Sequence, residues 1–324
     1  MGRKDFYVIE GDEFARHFLE FHPWGVIINN MELDHTDVYA DMQAVVETFR
    51  ELLRRVQDRG IVVANADDPQ VSTLIGQERA HLEQRGVRIR TFGAGSHADI
   101  QMMDMACKTG EQTFSLRDGQ GLVTRHTLLI PGRMNAMNAT AALTLARALG
   151  VTQDATARVF SSFRGVWRRF EIVSDLGGMT VVSDYGHHPT AVRATLEAAR
   201  SFFPNRRVML CFQPHHRNRT KHLFSDFVSS FDRADVLILC EIYDVVGRDA
   251  KEDAIVSSHD LLQAVERHDA ERGMHRSLTY AADPAASLAE VQRGKKSGDV
   301  IIVMGAGDIY CIAKDVSCGM YGSS

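Results

Sequence analysis

Residues 179–203, which read MTVVSDYGHHPTAVRATLEAARSFF, decide the fold class of this chain. A short apolar run at 179–183 leads into a polar turn, and Pro189 then opens a segment with apolar positions at helical spacing. Proline suits the first helical turn, where its missing N–H would have no partner in any case. The pattern repeats at once, with a strand predicted at 206–212 and a helix at 219–231. This alternation predicts an α/β fold with parallel sheets and right-handed crossovers.

The same alternation extends along the chain in both directions. Further strands are predicted at 6–9, 25–30, 61–64, 87–92, 170–175, 235–240 and 299–304, and further helices at 41–57, 135–149, 153–163, 189–202, 259–268 and 284–293. Residues 99–129 contain short runs separated by turn residues, which favours antiparallel strands. The segment 164–169, RGVWRR, looks like a junction. We therefore predict two domains, 1–166 and 167–324.

Composition excludes several classes of protein. The net charge is −5, and no long basic stretch is present, so we expect no nucleic-acid partner. The 5 cysteines form no C-x-x-C pair, which argues against a zinc ribbon or a redox motif. No apolar stretch approaches the roughly 20 residues that a membrane span requires. We see no signal peptide either, and so expect a cytoplasmic protein without a membrane partner.

Polar residues follow several predicted strands, where ligands bind in open α/β sheets. Glu10-Gly11-Asp12-Glu13 follows the run at 6–9, and His35 lies in an acidic segment after the next strand. Carboxylate oxygens suit Mg²⁺, and a neutral imidazole can also bind a metal. A solvated acidic loop and a structural histidine are the alternative explanations.

Three later segments carry donor and cationic groups. Asp184-Tyr185-Gly186-His187-His188 stands between a strand and a helix, where free backbone N–H groups favour anions. Gln213-Pro214-His215-His216-Arg217-Asn218-Arg219 holds a similar position, and its arginines suit a carboxylate or a phosphate. Asn135 and Asn138 near a helix start either cap the helix or bind an adenine edge. The segment Gly305-Ala306-Gly307 permits a close backbone approach, as tight packing would also require.

Taken in order, these segments resemble the Mur ligase family. The matches are E-G-D-E at 10–13, N-M-E-L-D-H at 30–35, P-G-R-x-N-x-x-N-A-x-A-A at 131–142, G-V-x-R-R-F at 165–170, D-Y-G-H-H-P-T at 184–190, F-Q-P-H at 212–215 and G-A-G at 305–307. The resemblance covers essentially the whole chain and is strongest to the branch that adds L-alanine to UDP-N-acetylmuramate.

The resemblance implies a central ATPase domain followed by a Rossmann-like domain. It also implies that ATP phosphorylates the substrate carboxylate before the amine of L-alanine attacks. By resemblance, Glu10 and His35 bind Mg²⁺, while Asn135 and Asn138 bind adenine. Arg169 contacts the ATP phosphates, and Asp184 and Tyr185 face the nucleotide. The resemblance assigns the binding of L-alanine and of the reacting end of the muramate substrate to His187, His188, His215 and Arg219. The catalytic residues that it implies are His187, His188 and Arg169.

The chain also departs from the family pattern. Family members carry a G-T-x-G-K-[ST] phosphate loop, and these 324 residues contain no such motif. We therefore expect the isolated chain to be inactive and a separate amino-terminal fragment to carry the loop. Met134 stands where the branch usually has histidine, and His216 where it usually has arginine, with Arg217 adjacent as a substitute.

Two other functions remain open. A murein tripeptide recycling ligase would carry F-A-H-H-P-T in place of the observed Y-G-H-H-P-T at 185–190. It would also carry E-P-R-S, and the observed Gln213-Pro214-His215 argues against it. A non-catalytic binding module would explain the missing phosphate loop. It would not explain why the metal and substrate residues are kept in order.

Overall fold

The computed structural model describes residues 6–35, 38–108, 110–244 and 256–318, and it contains two six-stranded sheets. The strands are β1 (Gly25–Ile28), β2 (Ile61–Asn65), β3 (Arg88–Gly93), β4 (Ile100–Lys108), β5 (Glu111–Asp118), β6 (Val123–Leu128), β7 (Glu171–Leu176), β8 (Met179–Asp184), β9 (Val208–Phe212), β10 (Val236–Cys240), β11 (Ser277–Ala281) and β12 (Val300–Met304).

Ten α-helices are assigned within those described ranges. They are α1 (Met42–Arg55), α2 (Pro69–Gln84), α3 (Arg133–Ala148), α4 (Gln153–Ser162), α5 (Pro189–Phe202), α6 (Arg217–His222), α7 (Phe224–Ser230), α8 (Ser258–Glu271), α9 (Pro284–Gly294) and α10 (Ile312–Cys318). Short 3₁₀ segments occur at Phe14–Glu20 and Asp308–Cys311. None of these helices is long and apolar enough to cross a membrane.

The first sheet has the order β1-β2-β3-β4-β5-β6, and its first three strands are parallel. Two of its helices begin at aspartate caps. The Asp41 carboxylate accepts a hydrogen bond from the Ala44 N–H, and Asp68 accepts one from Val71. Such caps satisfy N–H groups that a helix start leaves without partners. The helix predicted at 41–57 therefore begins where the sequence indicated.

The strand predicted at 6–9 is wrong. Phe6, Tyr7, Val8 and Ile9 are exposed and belong to no strand. In the described part of the chain, β1 pairs with β2 alone and forms the edge of its sheet. An apolar run becomes a strand only when a neighbour supplies the backbone hydrogen bonds. Residues 6–9 have no such neighbour among the residues that the structure describes.

The second sheet has the order β11-β10-β9-β12-β8-β7. All of its pairs are parallel except β7 with β8, which is antiparallel. Every residue of β9, β10 and β12 is buried. Burial on both faces explains why these strands appear in the sequence as unbroken apolar runs. The mixed α/β architecture with a Rossmann-like second half is confirmed.

Some second-half elements differ from the prediction. The single helix predicted at 219–231 is two helices, α6 and α7, which meet at Leu223 (φ −104°, ψ 21°). Strand β11 was not predicted, because it is an edge strand of mixed composition, SLTYA, in which only the last residue is fully buried. Helix α10 was not predicted either.

The chain divides into two compact units. The amino-terminal unit comprises Met1–Asp104, Phe114–Arg125 and Met137–Thr156, and the carboxy-terminal unit comprises Met105–Thr113, His126–Ala136 and Ala157–Ser324. Each has its own buried apolar core. Val62, Leu53 and Leu74 belong to the first core, and Leu210, Phe227 and Val300 belong to the second.

Candidate functional site

The carboxyl ends of four adjacent strands meet at one edge of the second sheet. Strands β10, β9, β12 and β8 are neighbours and run in parallel. Backbone hydrogen bonds join the segments that follow them. The Gln213 N–H donates to the Met304 carbonyl at 2.9 Å, and the Gly305 N–H donates to the Asp184 carbonyl at 3.1 Å. The predicted segments after β8, β9 and β12 are therefore parts of one surface.

Asp184 is buried at the end of β8. Its carboxylate accepts hydrogen bonds from the N–H groups of Phe170 at 2.8 Å and Gly186 at 2.7 Å. Burial raises the pKa of Asp184, while these backbone hydrogen bonds act in the opposite direction. The carboxylate thus holds the junction before β7 against the turn after β8.

The two histidines at the start of α5 have different surroundings. His188 is the N-cap residue, and its Nδ1 accepts a hydrogen bond from the Thr190 N–H at 3.4 Å. The His187 ring meets the Tyr185 ring edge-on, with 5.3 Å between centroids. His187 is therefore directed toward the strand-end surface, whereas His188 completes the helix start.

A second imidazole group faces His187 across this surface. The His215 ring lies 5.8 Å from the His187 ring and stacks on Tyr243 at 5.6 Å, with 16° between the ring planes. Arg219 is buried, and its Nη1 lies 3.3 Å from His215 Nδ1. The geometry therefore brings three of the predicted substrate residues together: His187, His215 and Arg219.

The Arg217 guanidinium forms ion pairs with carboxylates of its own unit. Its guanidinium lies 2.6 Å from the Asp244 carboxylate and 3.5 Å from that of Glu241, and it donates to the Val256 carbonyl at 2.7 Å. The expectation that Arg217 replaces an arginine at position 216 does not fit this geometry. His216 itself packs edge-on against His215, with ring centroids 4.4 Å apart.

The two arginines of the junction differ in exposure. Arg169 is exposed, and its guanidinium lies 5.2 Å from the centroid of the Tyr185 ring. Arg168 is buried beneath the same ring. Sequence reasoning singled out only Arg169. It also missed Tyr243, although an aromatic residue soon after a buried strand is a usable signal.

In the amino-terminal unit, His35 pairs with Glu13. The His35 Nε2 atom lies 3.6 Å from a Glu13 carboxylate oxygen, and a hydrogen bond with His35 lowers the pKa of Glu13. The Tyr39 hydroxyl donates to the Glu13 carbonyl at 2.5 Å. Glu10 is exposed. Mg²⁺ is bound in proteins through one or two carboxylates and keeps several waters, so the Glu13 carboxylate beside His35 fits such an ion.

Asn135 and Asn138 lie one turn apart at the start of α3. The Asn135 side-chain amide donates to the Pro131 carbonyl at 2.6 Å, so this residue holds the preceding turn. Asn138 is exposed. The neighbouring Met134 packs against the apolar core of the carboxy-terminal unit.

One other cluster has the composition of a metal site. Asp232, His268 and Asp269 bring three possible ligand atoms within 4.8 Å of one another, and no other described group does so. Both carboxylates already have cationic partners. The Arg276 guanidinium donates two hydrogen bonds of 2.7 Å to the Asp269 carboxylate, and the Arg272 guanidinium lies 3.0 Å from the Asp232 carboxylate. The cluster is an ion-pair network.

Comparison with known proteins identifies the family. Residues 2–146 match the Mur ligase middle domain, and residues 168–307 match the Mur ligase glutamate ligase domain. The UDP-N-acetylmuramate–L-alanine ligase of Clostridium novyi is 33% identical over 314 residues. The chain belongs to the Mur ligase family. The match covers 97% of this chain but 65% of that relative, so the chain spans about two thirds of the length of this Mur ligase.

Solved Mur ligase structures share the fold. The UDP-N-acetylmuramate–alanine ligase of Thermotoga maritima superimposes with a TM-score of 0.73 at 22% identity, covering 95% of this chain and 62% of that one. The murein peptide ligase of Psychrobacter arcticus gives a TM-score of 0.60 at 20% identity, covering 95% and 59%. The architecture of both units is therefore that of Mur ligases.

Proposed function

We propose that this chain provides the amino-acid-binding and part of the nucleotide-binding machinery of an ATP-dependent ligase. The ligase joins L-alanine to the carboxylate of UDP-N-acetylmuramate in peptidoglycan precursor synthesis. The observation that carries the proposal is the grouping of His187, His215 and Arg219 at the carboxyl edge of the second sheet. The names of the similar ligases support it.

The reaction proceeds in two steps. A carboxylate oxygen of the muramate substrate takes the terminal phosphoryl group of ATP, giving an acyl phosphate and ADP. The amine nitrogen of L-alanine then attacks the acyl carbon, inorganic phosphate leaves, and the amine loses a proton as the amide forms. Such chemistry depends mainly on positioning and on stabilising the phosphoryl charge.

The residues of the carboxy-terminal unit take the following roles. Arg219 binds the carboxylate of L-alanine, because a guanidinium can donate two parallel hydrogen bonds to it. His187 and His215 flank the reacting end and accept or donate protons there. His188 caps the start of α5, directly after His187 in the chain.

Four residues contact the nucleotide, and a fifth supports one of them. Arg169 contacts the phosphates, and its position above the Tyr185 ring keeps the exposed guanidinium in one place. Asp184 and Tyr185 face the nucleotide. Asn138 binds the adenine edge, and Asn135 supports the turn that precedes it.

Glu10 and His35 would hold the metal ion, and Glu13, which contacts His35, would be a further ligand. Bound Mg²⁺ would neutralise charge on the transferred phosphoryl group. The proposed activity also requires a glycine-rich phosphate loop, which these 324 residues do not contain.

Gly186 favours this activity over that of the tripeptide recycling ligase. The recycling pattern has alanine at this position. A Cβ atom there would lie 2.2 Å from the Met304 methyl carbon and 2.8 Å from an Asp184 carboxylate oxygen. Alanine at this position would therefore require the Met304 side chain and the Asp184 carboxylate to shift.

The test is reconstitution with the phosphate-loop segment, followed by an assay of phosphate release that depends on L-alanine. We expect Arg219→Ala to raise the KM for L-alanine by about 30- to 1000-fold, since losing one partner of a buried charged pair costs about 2–4 kcal/mol. Nucleotide affinity should not change. Arg217→Ala is the matched control, because its guanidinium is committed to Asp244.

Three outcomes would contradict the proposal, each at a different point. Equal losses in the two arginine variants would show that Arg219 is not the carboxylate clamp. Preference for the tripeptide over L-alanine would indicate the recycling ligase. Failure to release phosphate with a folded, nucleotide-binding phosphate-loop segment present would indicate a non-catalytic binding module.

A further inference from the structure

Arg168 is a buried arginine whose guanidinium reaches the loop after β12. Only 6% of the residue is exposed, and its Nη2 donates to the backbone carbonyls of Gly305 and Gly307. It forms no ion pair with a carboxylate of the described residues. Burial lowers the pKa of Arg168. A buried cation without an anionic partner costs stability.

Aromatic rings surround this guanidinium. Its central carbon lies 4.2 Å from the centroid of the Tyr310 ring, 4.8 Å from that of Tyr185 and 5.6 Å from that of Trp167. The flat guanidinium can stack on such rings while its N–H groups donate in the plane. Lysine has no flat face and no second donor in a fixed geometry.

The Arg168 side chain is nevertheless incompletely satisfied. Its Nε–H is buried and has no hydrogen-bond partner among the described residues. An unmet donor of this kind costs about 1–3 kcal/mol.

The backbone around Arg168 is tied to the turn after β8. The Tyr185 N–H donates to the Arg168 carbonyl at 2.7 Å, and the Phe170 N–H donates to the Asp184 carboxylate at 2.8 Å. Both Arg168 and Phe170 have left-handed backbone angles, with φ of +56° and +47°. Non-glycine residues persist in this region only where the surroundings hold them. These two residues are the chain neighbours of Arg169 on either side.

We propose that Arg168 is a positioning residue, which locks the junction, the turn at 184–186 and the loop at 305–307 into one arrangement. In this arrangement the Arg169 and Tyr185 side chains already have the positions in which they contact the nucleotide. The inference rests on the proposed function for the identity of the ligand. The locking itself can be measured without any ligand.

The first measurement is amide hydrogen exchange in Arg168→Met and Arg168→Lys. The reporters are the Tyr185 and Gly305 amides, whose hydrogen bonds join the three segments. Arg206→Met is the matched control, because Arg206 also donates to backbone carbonyls, those of Gly298 and Gly178, and lies 5.1 Å from the Phe203 ring. Its contacts are at the opposite ends of the strands, so its loss should leave both reporters protected.

We expect Arg168→Met to speed exchange at both amides at least tenfold, while overall unfolding in urea changes little. Arg168→Lys should recover part of the protection. Unchanged exchange at both amides in Arg168→Met would overturn the proposal, and so would the same acceleration in Arg206→Met.

The second measurement is calorimetric titration with ADP after addition of the phosphate-loop segment. Arg168→Met should bind ADP at least tenfold more weakly than the wild type, and Arg206→Met should bind it normally. Normal ADP binding by Arg168→Met, despite faster exchange, would refute its role in positioning Arg169 and Tyr185. If the wild type binds no ADP, the proposed function fails, and the exchange result alone decides whether Arg168 locks the three segments.

Discussion

Replacing Arg276 by methionine tests whether the cluster of Asp232, His268 and Asp269 is structural. The Arg276 and Asp269 side chains are 3% and 6% exposed. Arg276 donates to both carboxylate oxygens of Asp269 at 2.7 Å and also to the Phe231 carbonyl. The change Arg276→Met keeps most of the side-chain volume but leaves the Asp269 carboxylate buried without its partner.

The expected loss follows from that burial. Removing one member of a buried, hydrogen-bonded ion pair costs about 3–5 kcal/mol, because the remaining charge is not compensated. The control is Arg293→Met. Arg293 is 70% exposed and pairs with Glu290, and such surface pairs contribute about 0–1 kcal/mol. In the double variant Asp269→Leu with Arg276→Met, most of the lost stability should return, since neither charge is then buried.

The assay is urea unfolding of the carboxy-terminal unit, followed by Trp167 fluorescence in a Trp24→Phe background, which leaves one tryptophan in the chain. A loss below about 1 kcal/mol in Arg276→Met would refute the ion-pair argument. A metal site would behave differently, because freeing Asp269 would create an open carboxylate. Recovery of the lost stability on addition of Zn²⁺ would then favour a cation site at this cluster.

Two further predictions concern the loop after β12 and the acidic segment. Gly307→Ala should destabilise the carboxy-terminal unit by about 1–3 kcal/mol, because the new Cβ would lie 2.4 Å from the Gln213 amide oxygen and 2.6 Å from the Tyr243 ring. The control Gly76→Ala lies in α2 of the amino-terminal unit and has open space around the new Cβ, so it should instead stabilise that unit by about 0.5–1 kcal/mol. Its urea unfolding is followed by Trp24 fluorescence in a Trp167→Phe background, and the reverse order of the two effects would contradict the geometry. His35 lowers the pKa of Glu13 below its ordinary value of 4.5. The pair should therefore contribute its full stabilisation above pH 4.5, and this stabilisation should disappear as the pH falls through the lowered pKa. Glu13→Gln should remove this part of the acid sensitivity, and an unchanged dependence of unfolding on pH would show that the pair contributes nothing.

Local patterns predicted most of the individual elements. The unbroken apolar runs at β9, β10 and β12 have every residue buried, because strands covered on both faces carry no polar positions. Asp41 and Pro189 marked helix starts correctly, since both act through neighbouring backbone groups. The positions of Asp184, His187 and His215 at strand ends likewise followed from the chain order.

Long-range contacts decided the rest. The apolar run at 6–9 is not a strand, because a strand requires a neighbour that local composition does not reveal. Arg217 and Arg219 are two positions apart and chemically alike, yet Asp244 holds the first while the second lies beside His215. Arg168 and Arg169 are adjacent, yet only Arg168 is buried, because the Gly305 and Gly307 carbonyls approach it from far along the chain. A local pattern specifies backbone conformation and the side that faces the core, whereas the partner of a charged side chain depends on which distant segments meet it.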